Sequence, residues 1–233
     1  MRKTLISFTM ILGLLIASPG FAQQLDVRVT NLTNAIYFTP LLASAHPAGT
    51  HIFQPGTAAS ANLQAMAEGG DISGLVTDLQ AVAADIVQDP AGGFLAPGVS
   101  AVTMMSTTAG NTHLSIAGML LPTNDGFVGI ETLEIPTAPG TYTYYLNAYD
   151  AGTEANDEII TGGGMPGVPG IPADPGMNSG MGGTGAAMND ANTTVHIHRG
   201  VLGDSNLGGG VSDLDSTVHR WLNPVAELTI IVN

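Results

Sequence analysis

The sequence predicts an all-β fold: an eight-stranded antiparallel β-sandwich with one or two short helices between its early strands. Three observations point there. Short runs of β-branched and aromatic residues recur along the chain, Gly, Pro, Asn and Asp separate them, and a single stretch departs from this pattern with helical spacing.

Taken in order, Leu25–Thr30 alternates apolar and polar residues with period two, the pattern of a strand with one buried face, and a short piece follows at Ile36–Phe38. Next, Ile72, Leu75, Val76, Leu79, Val82 and Ile86 fall at helical spacing behind a start at Asp71 and Ser73, and Ala58–Ala67 offers a second short helix. Two helices at this point suit a sandwich whose end or edge they cover. Further strands are expected at Val99–Ser106, His113–Leu120, Phe127–Ile135, Thr141–Tyr149, Thr193–His198 and Glu227–Val232. Turns fall at Pro122 to Gly126, Pro136 to Gly140 and Gly200 to Gly210.

Two segments stand outside the sandwich. Residues 1–22 run from Arg2 and Lys3 through the apolar Leu5–Ile16 to a small-residue exit at Gly20 and Ala22, the arrangement of a secretory signal peptide cleaved before Gln23. The apolar run falls short of the ~20 residues that span a bilayer, so the mature chain, 23–233, is expected secreted or periplasmic with no transmembrane segment. No Cys follows the cleavage point to carry a lipid anchor. Residues 161–187 are dominated by Gly, Pro and Met without a fixed period and hold no Leu or aromatic residue, so they are expected to form a flexible surface insertion.

Composition narrows the function. Of 233 residues, 44% are hydrophobic and 10% charged, enough apolar material for packed cores. Five Lys and Arg face 19 Asp and Glu; without the leader three basic residues remain, for a net charge of −16. Nucleic-acid binding needs clustered Lys and Arg against phosphate, and docking on anionic lipid needs a basic face, so both are excluded. The absence of Cys removes disulfides, thiolate metal sites and Cys nucleophiles, and leaves oxygen or imidazole to hold any metal. No Gly-x-Ser-x-Gly, phosphate loop or His-Glu-x-x-His occurs. One Trp, five Tyr and six Phe are too few to line a sugar cleft around a carboxylate pair. The chain reads as a non-enzyme.

Four motifs in order carry a family resemblance: Phe53-Gln54-Pro55-Gly56 with Ser60 and a helix, Asn124-Asp125-Gly126-Phe127-Val128-Gly129, Tyr149-Asp150-Ala151-Gly152-Thr153-Glu154, and Ser212–Asp215 with His219, Trp221 and Pro224–Ala226. Together they resemble the spondin domain, known from F-spondin of animal extracellular matrix and from secreted bacterial proteins. The resemblance spans roughly Leu25–Val232 and implies an eight-stranded β-sandwich with a calcium ion at one end. By position, the implied side-chain ligands are Asp125, Asp150 and Glu154. This chain departs from the family in Gly126, set before the aromatic residue, and in Glu154, where Asp is usual.

On spacing alone, Asp125 and Asp150 are ordinary turn carboxylates capping backbone N–H groups; the resemblance turns the reading to Ca2+. Calcium favours six to eight oxygens, which a Cys-free acidic loop can supply, with Asn156, Asp157 and Glu158 in reserve. His196 and His198 offer an alternative, since period-two geometry puts both imidazoles on one face of a strand, as in a copper or zinc site of a metalloenzyme or redox protein. Further ligands would have to come from His46, His51, His113 or His219, none at a recognisable spacing. Met165, Met177, Met181 and Met188 read as filler, Trp221 as core, and Asp213 and Asp215 as turn formers. The expected function is therefore a secreted calcium-binding module for binding or adhesion, with an extracellular or cell-surface protein or glycan as partner.

Overall fold

The computed structural model describes residues 21–189 and 192–233; the leader expected at 1–22 lies outside the described residues except for Phe21 and Ala22. Ten strands and two helices follow in the order β1 (Gln24–Asn31), β2 (Tyr37–Phe38), β3 (Leu42–His46), α1 (Ala61–Gly69), α2 (Ser73–Ala81), β4 (Asp85–Gln88), β5 (Ser100–Ser106), β6 (His113–Leu121), β7 (Gly126–Glu134), β8 (Gly140–Asp150), β9 (His196–Ile197) and β10 (Ala226–Val232). All eight expected strands are present, and β3 and β4 are additional.

The strands form one antiparallel, nearly closed sheet in the order β4-β3-β6-β7-β8-β10-β1-β5, with β2 on β6 and β9 on β8. Strand β8 makes the corner between the two halves of the sandwich. Its first part, Gly140–Leu146, pairs with β10, and its last four residues, Asn147–Asp150, pair with β7. On the open side Asp85 of β4 draws in the loop after β5, accepting hydrogen bonds from Thr108 N–H, Thr108 Oγ1 and Asn111 Nδ2.

The alternation read in β1 buries Leu25, Val27 and Val29, which pack with Leu228, Ile230 and Val232 of β10 and with Leu114, Ile116 and Leu120 of β6 as the core between the halves. A second core lies on the other face of β3, β6 and β7, where Leu63, Met66, Leu75 and Leu79 of the helices cover Leu42, Ala117, Met119 and Phe127. This second cover explains β3 and β6: both are buried on both faces and show no alternation.

Ser60 caps α1 by accepting a hydrogen bond from Leu63 N–H, and Gly70 ends the helix in the left-handed region at φ 73°. The helical spacing read as far as Ile86 is cut short. Helix α2 stops at Ala81, Ala83 takes φ 56°, and Ile86 becomes a strand residue opposite Ser44 of β3. The β-branched pair Ile86-Val87 gains more on the edge of a sheet than in another helical turn.

Across 161–187, Ile171 is fully buried in the main core although the segment holds no Leu or aromatic residue. Ile171 N–H donates to Ile159 O at 2.8 Å, Gly180 N–H to Asp213 O at 2.7 Å, and Ala186 N–H to Asp157 O at 2.8 Å.

Candidate metal centre

Asp125 ends the β6–β7 turn, which Thr123 fastens by accepting Gly126 N–H at 3.1 Å and donating to Leu120 O at 2.6 Å. Asp150 ends β8, and the register Gly126↔Asp150 sets the two acidic positions side by side across the β7–β8 pair. The chain then turns at Gly152 with φ 70°, where a Cβ would stand 2.7 Å from Thr194 N, so glycine is required both by conformation and by the close approach of the β9 lead-in. That turn sends Thr153 and Glu154 back over Asp125.

Asp125 is fully buried. Its Oδ2 accepts Thr153 N–H at 2.8 Å, Glu154 N–H at 3.1 Å and the Thr153 hydroxyl at 3.2 Å, while Oδ1 is buried with no hydrogen-bond partner. Asp150 Oδ1 accepts Gly152 N–H and its Oδ2 accepts Asn156 Nδ2, each at 2.8 Å. Glu154 is half-buried; its Oε2 accepts Gly170 N–H at 3.1 Å and Asn124 Nδ2 at 3.4 Å, and its Oε1 is buried without a partner. Two carboxylate oxygens from the two loops are thus out of water and without a donor, which is costly for ionised groups. Burial, and then the charge of Asp150, push the Asp125 carboxyl up to about 7. Burial also pushes Glu154 up to about 7, against the Gly170 hydrogen bond and with the repulsion of Glu68.

The loop is therefore a set of carboxylates part-satisfied by its own amides. The oxygens left over are Asp125 Oδ1 and Glu154 Oε1, with one lone pair still open on each Asp150 oxygen. No three His, Asp or Glu side chains among the described residues are grouped tightly enough to hold a metal ion by themselves. Any cation here must take main-chain, amide or water oxygens as well.

The residues held in reserve are otherwise engaged. Asp157 Oδ1 accepts from Asn124 Nδ2 and Ile159 N–H. Glu158 is buried and clamps the later loops through Leu202 N–H, Gly203 N–H and the Ser212 hydroxyl. Asp213 likewise accepts from Ile160 N–H and Gly183 N–H. Asn124 and Glu68 were given no role by sequence, and both matter. Asn124 bridges the two loops by accepting Glu158 N–H at 3.2 Å, and Glu68, buried at the end of α1, accepts Gly167 N–H at 2.6 Å.

The histidine pair separates. His196 Nε2 stands 3.7 Å from Asp150 Oδ2, while His198 is buried against Trp221 with ring centroids 5.0 Å apart and its Nδ1 accepts Gly200 N–H. The other histidines have their own partners: Ser115 for His46, Glu131 for His51, Thr112 for His113 and Asp215 N–H for His219.

Phe53 of the first motif packs on Phe127 and Tyr149 at 5.0 and 4.9 Å, the aromatic neighbours of Asp125 and Asp150 in sequence. Beside it, a cavity of about 360 Å³ opens between the helices and the segment 50–60, with Leu63, Leu75 and Leu79 among its buried walls and His51 and Asp78 on its lining.

No curated protein matches this chain. The Spondin_N family, however, matches residues 29–159, more than half of the 233 residues, and this stretch holds Asp125, Asp150, Glu154 and the Phe53 motif. The chain belongs to the Spondin_N family.

Proposed function

We propose that this protein is an extracellular binding or adhesion module whose loop end is held together by a calcium ion, and that it performs no catalysis. The observation that carries the proposal is the pair of buried, unpartnered oxygens, Asp125 Oδ1 and Glu154 Oε1, on two loops joined by the Glu154 N–H bond to Asp125 and by the register that sets Asp150 beside Gly126. Such oxygens are stable when protonated or when a cation sits among them. The all-oxygen donor set and the irregular backbone around it suit calcium better than zinc or copper, and better than magnesium, which demands octahedral geometry and sheds water reluctantly. Asp125, Asp150 and Glu154 would hold the ion, which supplies positive charge and nothing redox-active.

The role of the ion is to neutralise the carboxylates, lock the β6–β7 turn to the β8 loop, and so preorganise a recognition surface for a protein or glycan at the cell exterior. Secretion rests on the leader ending at Ala22, and no helix among the described residues is long and apolar enough to cross a membrane.

Thermal unfolding with calcium, magnesium or chelator tests the reading. Calcium at about a hundred times its Kd adds about 2.7 kcal/mol if only the folded state binds, a rise of roughly 5–10 °C for a domain of this size. Asp150→Asn should lose most of that rise, and Glu154→Asp should keep it. An unchanged melting temperature in millimolar calcium, or a full rise in Asp150→Asn, overturns the metal assignment.

A further inference from the structure

The Gly-rich stretch beginning at Thr161 lies just past the family match, which ends at residue 159, yet it reaches the carboxylate centre. Residues 161–171 form a closed loop, with Thr161 N–H and Gly162 N–H both donating to Ile171 O and the buried Ile171 side chain at its foot. Two glutamates pin the loop from below: Glu68 of α1 accepts Gly167 N–H at 2.6 Å, and Glu154 accepts Gly170 N–H at 3.1 Å. Gly164 is laid so closely against the last residue of α1 that a Cβ on Gly69 would stand 2.1 Å from Gly164 O.

The two oxygens of Glu154 therefore differ: Oε2 is held by hydrogen bonds and Oε1 is not. One oxygen receives the Gly170 amide, and the other is the unpartnered oxygen of the centre. The Gly170 bond, with the longer one from Asn124, fixes the rotation of the carboxylate and so the direction in which Oε1 points. A side chain of three rotatable bonds left without those donors would lose its fixed orientation for most of its time. Extra length in Glu154 compared with Asp makes such a brace more necessary.

We propose that the loop 161–171 is a positioning strap, which aims Glu154 at the calcium ion and thereby sets the calcium affinity of this chain. The inference rests on the calcium reading above. Because coupling is reciprocal, an ion that gains affinity from the docked strap must also favour the docked strap.

The test uses calcium chloride as the probe and two readouts. Gly69→Ala places a methyl where the strap carbonyl lies, at a helical position where Ala is otherwise the better helix former, so α1 survives while the strap is displaced. Isothermal titration should show calcium affinity falling roughly ten- to a hundredfold in Gly69→Ala, the usual cost of losing a partner that orients a metal ligand. Independently of any variant, hydrogen exchange in wild type should slow across 161–171 when calcium is added. Calcium binding of wild-type strength in Gly69→Ala, or strap exchange unchanged by saturating calcium, overturns the strap and leaves the calcium site standing. Absence of calcium binding in wild type overturns both.

Discussion

Ile171→Ala measures how far the Gly-rich segment belongs to the fold. The side chain is fully buried in the main core, and the substitution removes three carbons while leaving the backbone bonds to Ile159, Thr161 and Gly162 possible. At about 0.8 kcal/mol per buried methylene the transfer loss is about 2.4 kcal/mol, and the residual cavity brings the total to roughly 2.5–4 kcal/mol. The melting temperature should fall by about 5–15 °C. Urea unfolding followed by the fluorescence of the sole tryptophan, Trp221, reads the change as a lowered midpoint at constant slope. Met177→Ala, in the same segment at a residue 89% exposed, is the control and should stay within about 0.5 kcal/mol of wild type. If Ile171→Ala also stayed within that margin, the segment would be the loose insertion that its composition suggests.

Three further outcomes are expected, two from the structure and one from the sequence of residues 1–22. A carboxyl raised to about 7 in the folded state is more protonated there than in the unfolded chain, so its contribution to stability is lost as pH rises from about 4 to about 7. His46, lowered by burial, acts in the opposite sense, so the difference between variants isolates the carboxyl. In chelator, Asp125→Asn should gain melting temperature relative to wild type across that window, and a difference that does not change with pH contradicts the burial of Asp125 as a charge problem. Ser60→Ala removes the cap of α1 and should cost about 1 kcal/mol in urea unfolding, with no loss indicating that the cap is replaced by water. Mass spectrometry of exported protein should place the mature terminus at Gln23, and an intact Met1 there would refute cleavage.

What the sequence made legible follows the physics of one-sided burial. Strands β1, β8 and β10 have one face on the core and one outside, so period two is written in them, and their bounds agree with expectation within a residue or two. Strand β3 was invisible because Leu-Ala-Ser-Ala-His is buried on both faces and uses small residues where β4 and the helices close in. Helix α2 was read too long because Val82 and Ile86 continue its spacing by coincidence, and only the pairing of β4 with β3 shows that the chain has changed period. That the turns bearing Asp125, Asp150 and Glu154 meet follows from the placement of their motifs at the ends of β7 and β8, two strands that pair. Gly170 and Gly167 were not legible, because what they contribute is a backbone N–H, and any residue but proline carries one. Glu68 was given no role by sequence, because its burial and its bond to Gly167 N–H arise only where the distant segment 161–171 folds back onto α1.

The proposed function depends above all on calcium binding by Asp125, Asp150 and Glu154. Equilibrium calcium titration of the mature protein after exhaustive chelation tests it most directly, with Asp125→Asn alongside. One calcium per chain with saturable heat, and affinity reduced at least about tenfold in Asp125→Asn, is the expected result, since that variant replaces the buried unpartnered oxygen with a neutral amide. No binding in millimolar calcium, or equal affinity in wild type and Asp125→Asn, would contradict it.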